Sequence, residues 1–522
     1  MPNYGEPLPA PVELSQILRP GLDRTPDETG LATIEGAWSW RQLDALSTTY
    51  AGNLLRLGLK IGDRVASLLP NGCTLVIHYL ATLKAGLVAV PLNYRYTAPE
   101  IDHALEVSGA AAIIYHAERR ADIGASARAG DLSLRIEAGE GAHGPTVESL
   151  LLPSEDRASF GQHAPSAPCF IFFTSGSTGA AKGVTHTLEN LGWMLANQAC
   201  AYQVSADDIV LPASSASHIG AFLMILAGFS RGAAIVLPRV GQMAETLDLM
   251  RRWRPTIFQM PPALLFQMER ENQTTAADFG SVRLVLAGGD KVPSPLADEF
   301  ATKTGLSITE IYGMTENGLS HINISTNRSK RGAVGRTAPG FTASIRDDDF
   351  NEVPPGAEGR LWVRFKGISP CYWNDEAATK AVWLDGWFDT GDVLRADDQG
   401  YYWFCGRRKQ LIVHDSSNIF PQEVEDALLA HDAVALAGVV GVRDLVHGEN
   451  VRAYVTMKPG IDRPSAVDLI AFARQRVGYK APEEIVFLDT MPLTPSSKVD
   501  RMALKRLAEA DHATALPESS PW

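Results

Sequence analysis

Apolar residues gather in short solid runs rather than in alternating ones. Arg64–Leu69, Leu87–Val90, Cys169–Phe173, Leu284–Ala287 and Ile308–Ile311 are such runs. Solid runs of this length predict strands covered on both faces, the habit of parallel sheets. Between the first two, Asn71-Gly72 turns the chain and Thr74–Lys84 carries a helical pattern, so this stretch predicts a βαβ unit. A further helix is predicted from about Leu188, with Thr187 as its N-cap. Another strand opens at Gly359-Arg360-Leu361, and Pro421 stands where a helix reaching Leu429 would begin. Ile219–Phe229 is the longest apolar stretch and is too short to span a bilayer. The chain is proline-rich up to about Thr29, which predicts a segment wrapping a surface, and from about 411 to 510 it alternates short helices and strands. The fold class is α/β.

At 522 residues the chain exceeds what one core serves, so two or more domains are expected. A net charge of −13 argues against nucleic acid as the partner, although a local basic pocket can still hold an anion. Cys73, Cys169, Cys200, Cys371 and Cys405 are odd in number and show no CxxC spacing, which fits a reducing compartment and no structural zinc. Met1–Glu6 is not basic and no apolar signal region follows, and Ser520-Pro521-Trp522 is no peroxisomal address. The expected location is cytoplasmic, with no transmembrane segment.

Candidate chemistry centres on Thr174-Ser175-Gly176-Ser177-Thr178-Gly179-Ala180-Ala181-Lys182-Gly183, which holds four hydroxyls, three glycines and one lysine directly after a buried strand. Glycines let backbone N–H groups approach oxygen anions, hydroxyls donate, and Lys182 adds charge. The layout expected is strand, phosphate-binding loop, helix. No Gly-Lys-Ser/Thr closes a GxxxxGK[ST] frame, so a Walker-type kinase or ATPase is not implied. Composition alone would also allow a plain surface loop.

This segment resembles the T-S-G-S/T-T-G-x-x-K-G loop of the adenylate-forming superfamily, which includes acyl-CoA synthetases, luciferases and nonribosomal adenylation domains. Further motifs follow in that superfamily's order from Leu31 to Arg501. Leu83-Lys84-Ala85-Gly86 and Val90-Pro91-Leu92-Asn93 resemble a segment that we read as packing. Gly288-Gly289-Asp290 resembles the turn laid against adenine, and Glu310-Ile311-Tyr312-Gly313-Met314-Thr315-Glu316 contains Y-G-x-T-E. By resemblance Tyr312 faces adenine, Thr315 meets the α-phosphate, and Glu316, with Thr178, holds Mg²⁺. Gly386–Asp392 matches G-W-x-x-T-G-D, whose Asp392 accepts the ribose hydroxyls, with Arg407 as the second ribose contact. Lys498 in Pro492–Arg501 corresponds to the lysine that reaches back from the C-terminal domain.

The resemblance implies a luciferase-like adenylate-forming fold. It comprises a large N-terminal domain of parallel-rich sheets and helices (1–409), a small mobile α+β C-terminal domain (410–510), and a disordered tail (511–522). His218 would stand at the mouth of an acyl pocket walled by Phe222, Gly288, Gly313, Met314 and Gly318. Ile219 and Gly220 stand where amino-acid-activating relatives carry an aspartate, which disfavours an amino acid. Gly313 replaces the tryptophan of acetate-specific relatives, which implies a larger acid, medium or long in chain or aromatic. Gln410 departs from the usual Asp or Lys hinge, Asp415-Ser416 from the usual Gly-Gly of the loop that lines the CoA tunnel with Ser417, and Ser497 from the usual glycine. The implied reaction consumes ATP and a carboxylic acid with Mg²⁺, releases pyrophosphate, and passes the acyl group from acyl-AMP to CoA after the small domain rotates. The Asp415-Ser416 departure leaves an acyl-carrier-protein phosphopantetheine open as the acceptor. A non-catalytic nucleotide-binding regulator and a luciferase-like oxygenase are the other readings, and a homodimer is left open.

Overall fold

The computed structural model describes residues 8–515 apart from 153–159, 162, 175–180, 271–273, 290–291, 293, 325–326, 415–416, 445–447 and 495–497. The solid apolar runs become the inner strands of two mixed sheets, of seven and nine strands among the described residues. Arg64–Leu68, Val88–Pro91, Ala112–His116, Leu134–Ala138 and Pro168–Thr174 form the parallel part of the first. Thr29–Ala32, Ile209–Pro212, Ala234–Val236, Ile257–Gln259, Leu284–Gly288 and Ile308–Met314 form that of the second. Antiparallel strands end each sheet on the side of the candidate site. They are Lys182–Thr187 and Cys371–Tyr372 in the first, and Gly318–Asn323 and Arg336–Thr337 in the second.

Two helices occupy the space between the sheets. Leu188–Ala201 touches Lys182–Thr187 of one sheet and Gly318–Asn323 of the other, and Ile219–Phe229 packs beside it. Ile219–Phe229 is apolar on every face, which suits a helix with no solvent side, and it is buried from Ala221 onward. Thr187 caps Leu188–Ala201 through a reciprocal capping box with Asn190. The expected passage from loop straight into helix is corrected here. Lys182–Thr187 is a strand antiparallel to Pro168–Thr174, so residues 175–180 join the two arms of a hairpin. The β-branched Val184, Thr185 and Thr187 are the strand signal here.

A third, antiparallel sheet holds Thr342–Arg346, Glu358–Arg364, Trp387–Ala396 and Tyr402–Arg407. After 410 the chain builds its own sheet from Ile412–His414, Ser417–Ile419, Val434–Asp444, Gly448–Met457 and Glu484–Phe487. Its separate core includes Val424, Leu428, Val439, Val451 and Leu469. The last helix runs Arg501–Ala515, past the boundary expected at 510, and residues 516–522 of the expected tail lie outside the described residues. Among the described residues no helix is long and apolar enough to cross a membrane.

Candidate active site

The ends of several elements converge on one cleft: the Thr174/Lys182 hairpin, the Gly288-Gly289 end of a parallel strand, the Met314–Gly318 turn, and the Asp392/Arg407 strand pair. Ligands of open α/β sheets gather at the carboxyl ends of the strands in this way. Asp392 and Arg407 lie directly opposite each other across their antiparallel pair. Arg407 Nε donates to Asp392 Oδ1 at 3.0 Å, and the Tyr312 hydroxyl donates to Oδ2 at 2.6 Å. Each carboxylate oxygen therefore keeps one lone pair for a diol. Asp392 is 1% exposed. Burial raises its pKa above the ordinary value, with Arg407 opposing, and the Asp392 charge in turn raises that of Arg407. Tyr312, expected to offer its face to adenine, also anchors this carboxylate.

Glu316 lies within the turn, where its Oε1 accepts from the Tyr372 hydroxyl at 2.8 Å. Burial raises the Glu316 pKa above the ordinary carboxylate value. Lys182 Nζ lies 4.9 Å from the centroid of the same Tyr372 ring. Thr315 shares the turn, which Asn317 holds by accepting the Met314 N–H through Oδ1 at 3.2 Å. Glu310 and Ile311 lie on the strand beneath, paired with Ala287 and Gly288. Thr174 ends its strand half-buried. Ser175, Gly176, Ser177, Thr178, Gly179 and Asp290 lie outside the described residues.

The acyl side is arranged differently. His218 immediately precedes the buried helix Ile219–Phe229, and its Nε2 lies 3.0 Å from Asn93 Nδ2. Asn93 Oδ1 accepts the Arg95 N–H at 2.9 Å, which fixes the amide with its NH₂ toward the ring. His218 Nε2 therefore accepts and Nδ1 carries the proton. Burial, followed by the nearby charge of Lys498, pushes the His218 pKa down to about 4. Phe222 does not reach open space. It is fully buried, its ring 4.5 Å from Phe170, 5.0 Å from Phe172 and 5.5 Å from Tyr79 between centroids. Gly313 does not simply leave room either. A Cβ there would lie 1.8 Å from the Gly318 carbonyl oxygen, because the strand pair bulges between Tyr312 and Gly313. A Cβ on Gly288 would lie 2.4 Å from the Ile311 oxygen, and one on Gly318 (φ +67°) 3.3 Å from Leu223. Close backbone approach requires Gly313 and Gly288, and the left-handed φ requires Gly318. Met314 is half-buried against the core.

Lys498 comes from the C-terminal sheet's side of the cleft. Thr494 N donates to Lys498 O at 2.7 Å, and Lys498 N to Thr494 Oγ1 at 3.2 Å. Its Nζ would lie 3.9 Å from a Cβ on Gly289 (φ +84°), and its charge acts on both Asp392 and His218. Gln410 ends the short turn Arg408–Gln410 between the two regions. Ser417 opens a strand opposite His414, whereas Asp415, Ser416 and Ser497 lie outside the described residues.

The model of the AMP-binding enzyme family matches residues 19–373, and that of the AMP-binding enzyme C-terminal domain matches 423–498. The chain belongs to the AMP-binding enzymes. Within that adenylate-forming superfamily it falls in the acyl- and aryl-CoA ligase branch, as an AMP-forming acid–thiol ligase. It is 32% identical to a feruloyl-CoA synthase of an Amycolatopsis species over 90% of this chain and 94% of that one. It is 31% identical to an indoleacetate–CoA ligase of Aromatoleum aromaticum, over 95% and 98%. Among solved structures, ATP-bound MatB from Rhodopseudomonas palustris superposes with a TM-score of 0.88 at 26% identity, covering 96% of this chain and 100% of that one.

Three residues of this AMP-binding enzyme were not anticipated. Asn93 was read as packing, although the P-L-N spelling was visible. Asn71 was read as a turn, yet it holds the loop before His218 by donating to Ser214 O at 2.8 Å and accepting from Ala216 N at 2.8 Å. Tyr372 carried no signal of its own, because its partners Glu316 and Lys182 are distant in sequence.

Proposed function

We propose that this enzyme activates an aromatic carboxylic acid with ATP as acyl-AMP and then transfers the acyl group to CoA. The observation carrying the adenylation step is Lys498, brought from the far sheet over Gly289 and into the field of Asp392 and His218. A lysine there can bridge the acid's carboxylate and the α-phosphate, so catalysis is positioning plus charge stabilisation, with no protein nucleophile. Asp392 and Arg407 hold the ribose, Tyr312 fixes Asp392, and Lys182 with the Thr174–Gly179 loop holds the phosphates. His218 stays neutral and presents an Nδ1–H at the mouth of the acyl pocket. Aromatic acid is favoured by the acids named for three relatives above 30% identity, two feruloyl-CoA synthases and an indoleacetate–CoA ligase.

Mg²⁺ is tested by the donors present. Among the described residues no cluster of three or more His, Cys, Asp or Glu side chains could hold a metal. Glu316 offers one buried carboxylate whose Oε1 is taken by Tyr372. One carboxylate suits an ion that arrives on substrate phosphates with its own waters, so Mg²⁺ fits Glu316, with Thr178 as the second donor. The ion's contribution is to offset charge on the phosphates. Rotation of the small domain about Gln410 would then withdraw Lys498 and bring residues 415–417 to the cleft for the thiol.

Mass spectrometry of products from ATP, Mg²⁺ and a panel of aryl, medium- and long-chain acids, with and without CoA, tests this. Aryl-CoA formed only when CoA is present is the expected result. Acyl-AMP accumulating in both cases would make a carrier-protein phosphopantetheine the acceptor. Preference for alkyl acids would overturn the aromatic assignment.

A further inference from the structure

Residues 369–373 are held on two sides. Toward the first sheet, Ser369 Oγ donates to Thr185 O and Trp373 N to Gly183 O, each at 2.7 Å, and Tyr372 pairs with Val184. Toward the second, Ser369 N donates to Glu316 O at 2.6 Å and the Tyr372 hydroxyl to Glu316 Oε1 at 2.8 Å. Gly183, Val184 and Thr185 belong to the strand that begins with Lys182, whereas Glu316 lies in the hairpin turn of the other sheet. One short segment thus ties the two sheets together where they meet the cleft. Tyr372 serves both sides itself, with its ring against the Lys182 ammonium and its hydroxyl on the Glu316 carboxylate. Its own amide donates to Thr379 Oγ1 at 3.0 Å, which anchors it to the helix Glu376–Val382.

We propose that Tyr372 is a positioning residue that fixes the span between the phosphate-side lysine and the metal-side carboxylate, so that the site selects metal-bound over bare nucleotide. This rests on the assignment of Lys182 and Glu316 made above. The physical reason is charge. A bare triphosphate is repelled by the Glu316 carboxylate, whereas a metal–triphosphate is attracted to it. That difference is largest when the carboxylate cannot swing away. The Tyr372 hydroxyl holds Oε1, and the Glu316 carboxyl also takes a hydrogen bond from its own backbone N–H, so both fix it in place.

Tyr372→Phe keeps the ring beneath Lys182 and removes the hydroxyl, whereas Tyr372→Leu removes both. ATP binding is measured by isothermal titration calorimetry with Mg²⁺ and with EDTA, in the absence of acid and without turnover. Tyr372→Phe is expected to weaken binding about tenfold with Mg²⁺, the typical loss for a hydrogen bond to a charged group, and less than about twofold with EDTA. Tyr372→Leu is expected to weaken both. Equal loss under the two conditions, or no loss, overturns the proposal. Glu316→Gln separates it from its premise. If that variant keeps the wild-type Mg²⁺ preference, the metal assignment fails. If it loses the preference while Tyr372→Phe keeps it, only the role of Tyr372 fails. The double variant should match Glu316→Gln alone, and additive losses would also overturn the coupling.

Discussion

The nucleotide half of the cleft and its acyl half are built on different rules. On the nucleotide side the buried carboxylates have named partners: Asp392 with Arg407 and Tyr312, and Glu316 with Tyr372. On the acyl side, among the described residues, the His218 ring has one hydrogen-bond partner, Asn93, and beside it stand glycines pressed on backbone or apolar side chains and Phe222 set among core rings. Recognition of ribose and phosphate needs particular atoms at particular places, which constrains residue identity. A pocket for an acyl group needs only shape, which many packings supply.

Removing Lys498 is the sharpest way to break the comparison, because its charge acts on both halves. Lys498→Ala is expected to slow adenylation by on the order of 10³-fold, while supplied acyl-AMP still reacts with CoA within a few-fold. Pyrophosphate release and thioester formation, assayed separately, check this, and equal losses would place Lys498 outside the first step. Asp392→Asn leaves Arg407 facing an amide and should raise KM for ATP by about 30-fold, with little change in KM for the acid. Gln410→Pro should spare adenylation and slow thioester formation by roughly tenfold, as expected of a stiffened hinge. Unchanged overall turnover would put the hinge elsewhere.

Gly313→Ala tests whether this glycine measures the acid or satisfies the backbone. With 1.8 Å between its Cβ and the Gly318 oxygen, the variant should lose roughly 2–4 kcal/mol of stability and keep the wild-type ratio of short to long acids. A stable variant with a shifted ratio would restore the size-gate reading.

The smallest effect expected concerns pH. The Glu316 and Asp392 pKa values are raised by burial. Stability from such groups is present below their unfolded pKa values and lost as pH rises through the folded ones, so their charge opposes folding at neutral pH. Glu316→Gln should therefore raise the melting temperature slightly at pH 7 while lowering activity, read by thermal unfolding beside pyrophosphate release. For His218 the sign is opposite. Its pKa falls to about 4, so its contribution is present above its ordinary value and is lost as pH falls toward 4. His218→Gln should accordingly leave the acid limb of adenylation between pH 5 and 7 in place.

The sequence by itself determined many of the elements and the family its motifs spell. Solid apolar runs named five of the parallel strands, Thr187 named a helix start, and the spellings around Tyr312, Asp392 and Lys498 named side chains whose types suit the groups proposed for them. The tertiary structure decided what depends on approach between distant segments. It made Lys182 a strand residue, set Phe222 into the core, turned Gly313 from a gap into a backbone contact, and brought Asn93 to His218 and Tyr372 to Glu316. Local spacing carries hydrogen-bonding type and periodicity. It carries nothing about which backbone will lie 3 Å away once two sheets close on shared helices, and that distance settles both the shape of the acyl side and the identity of its supports.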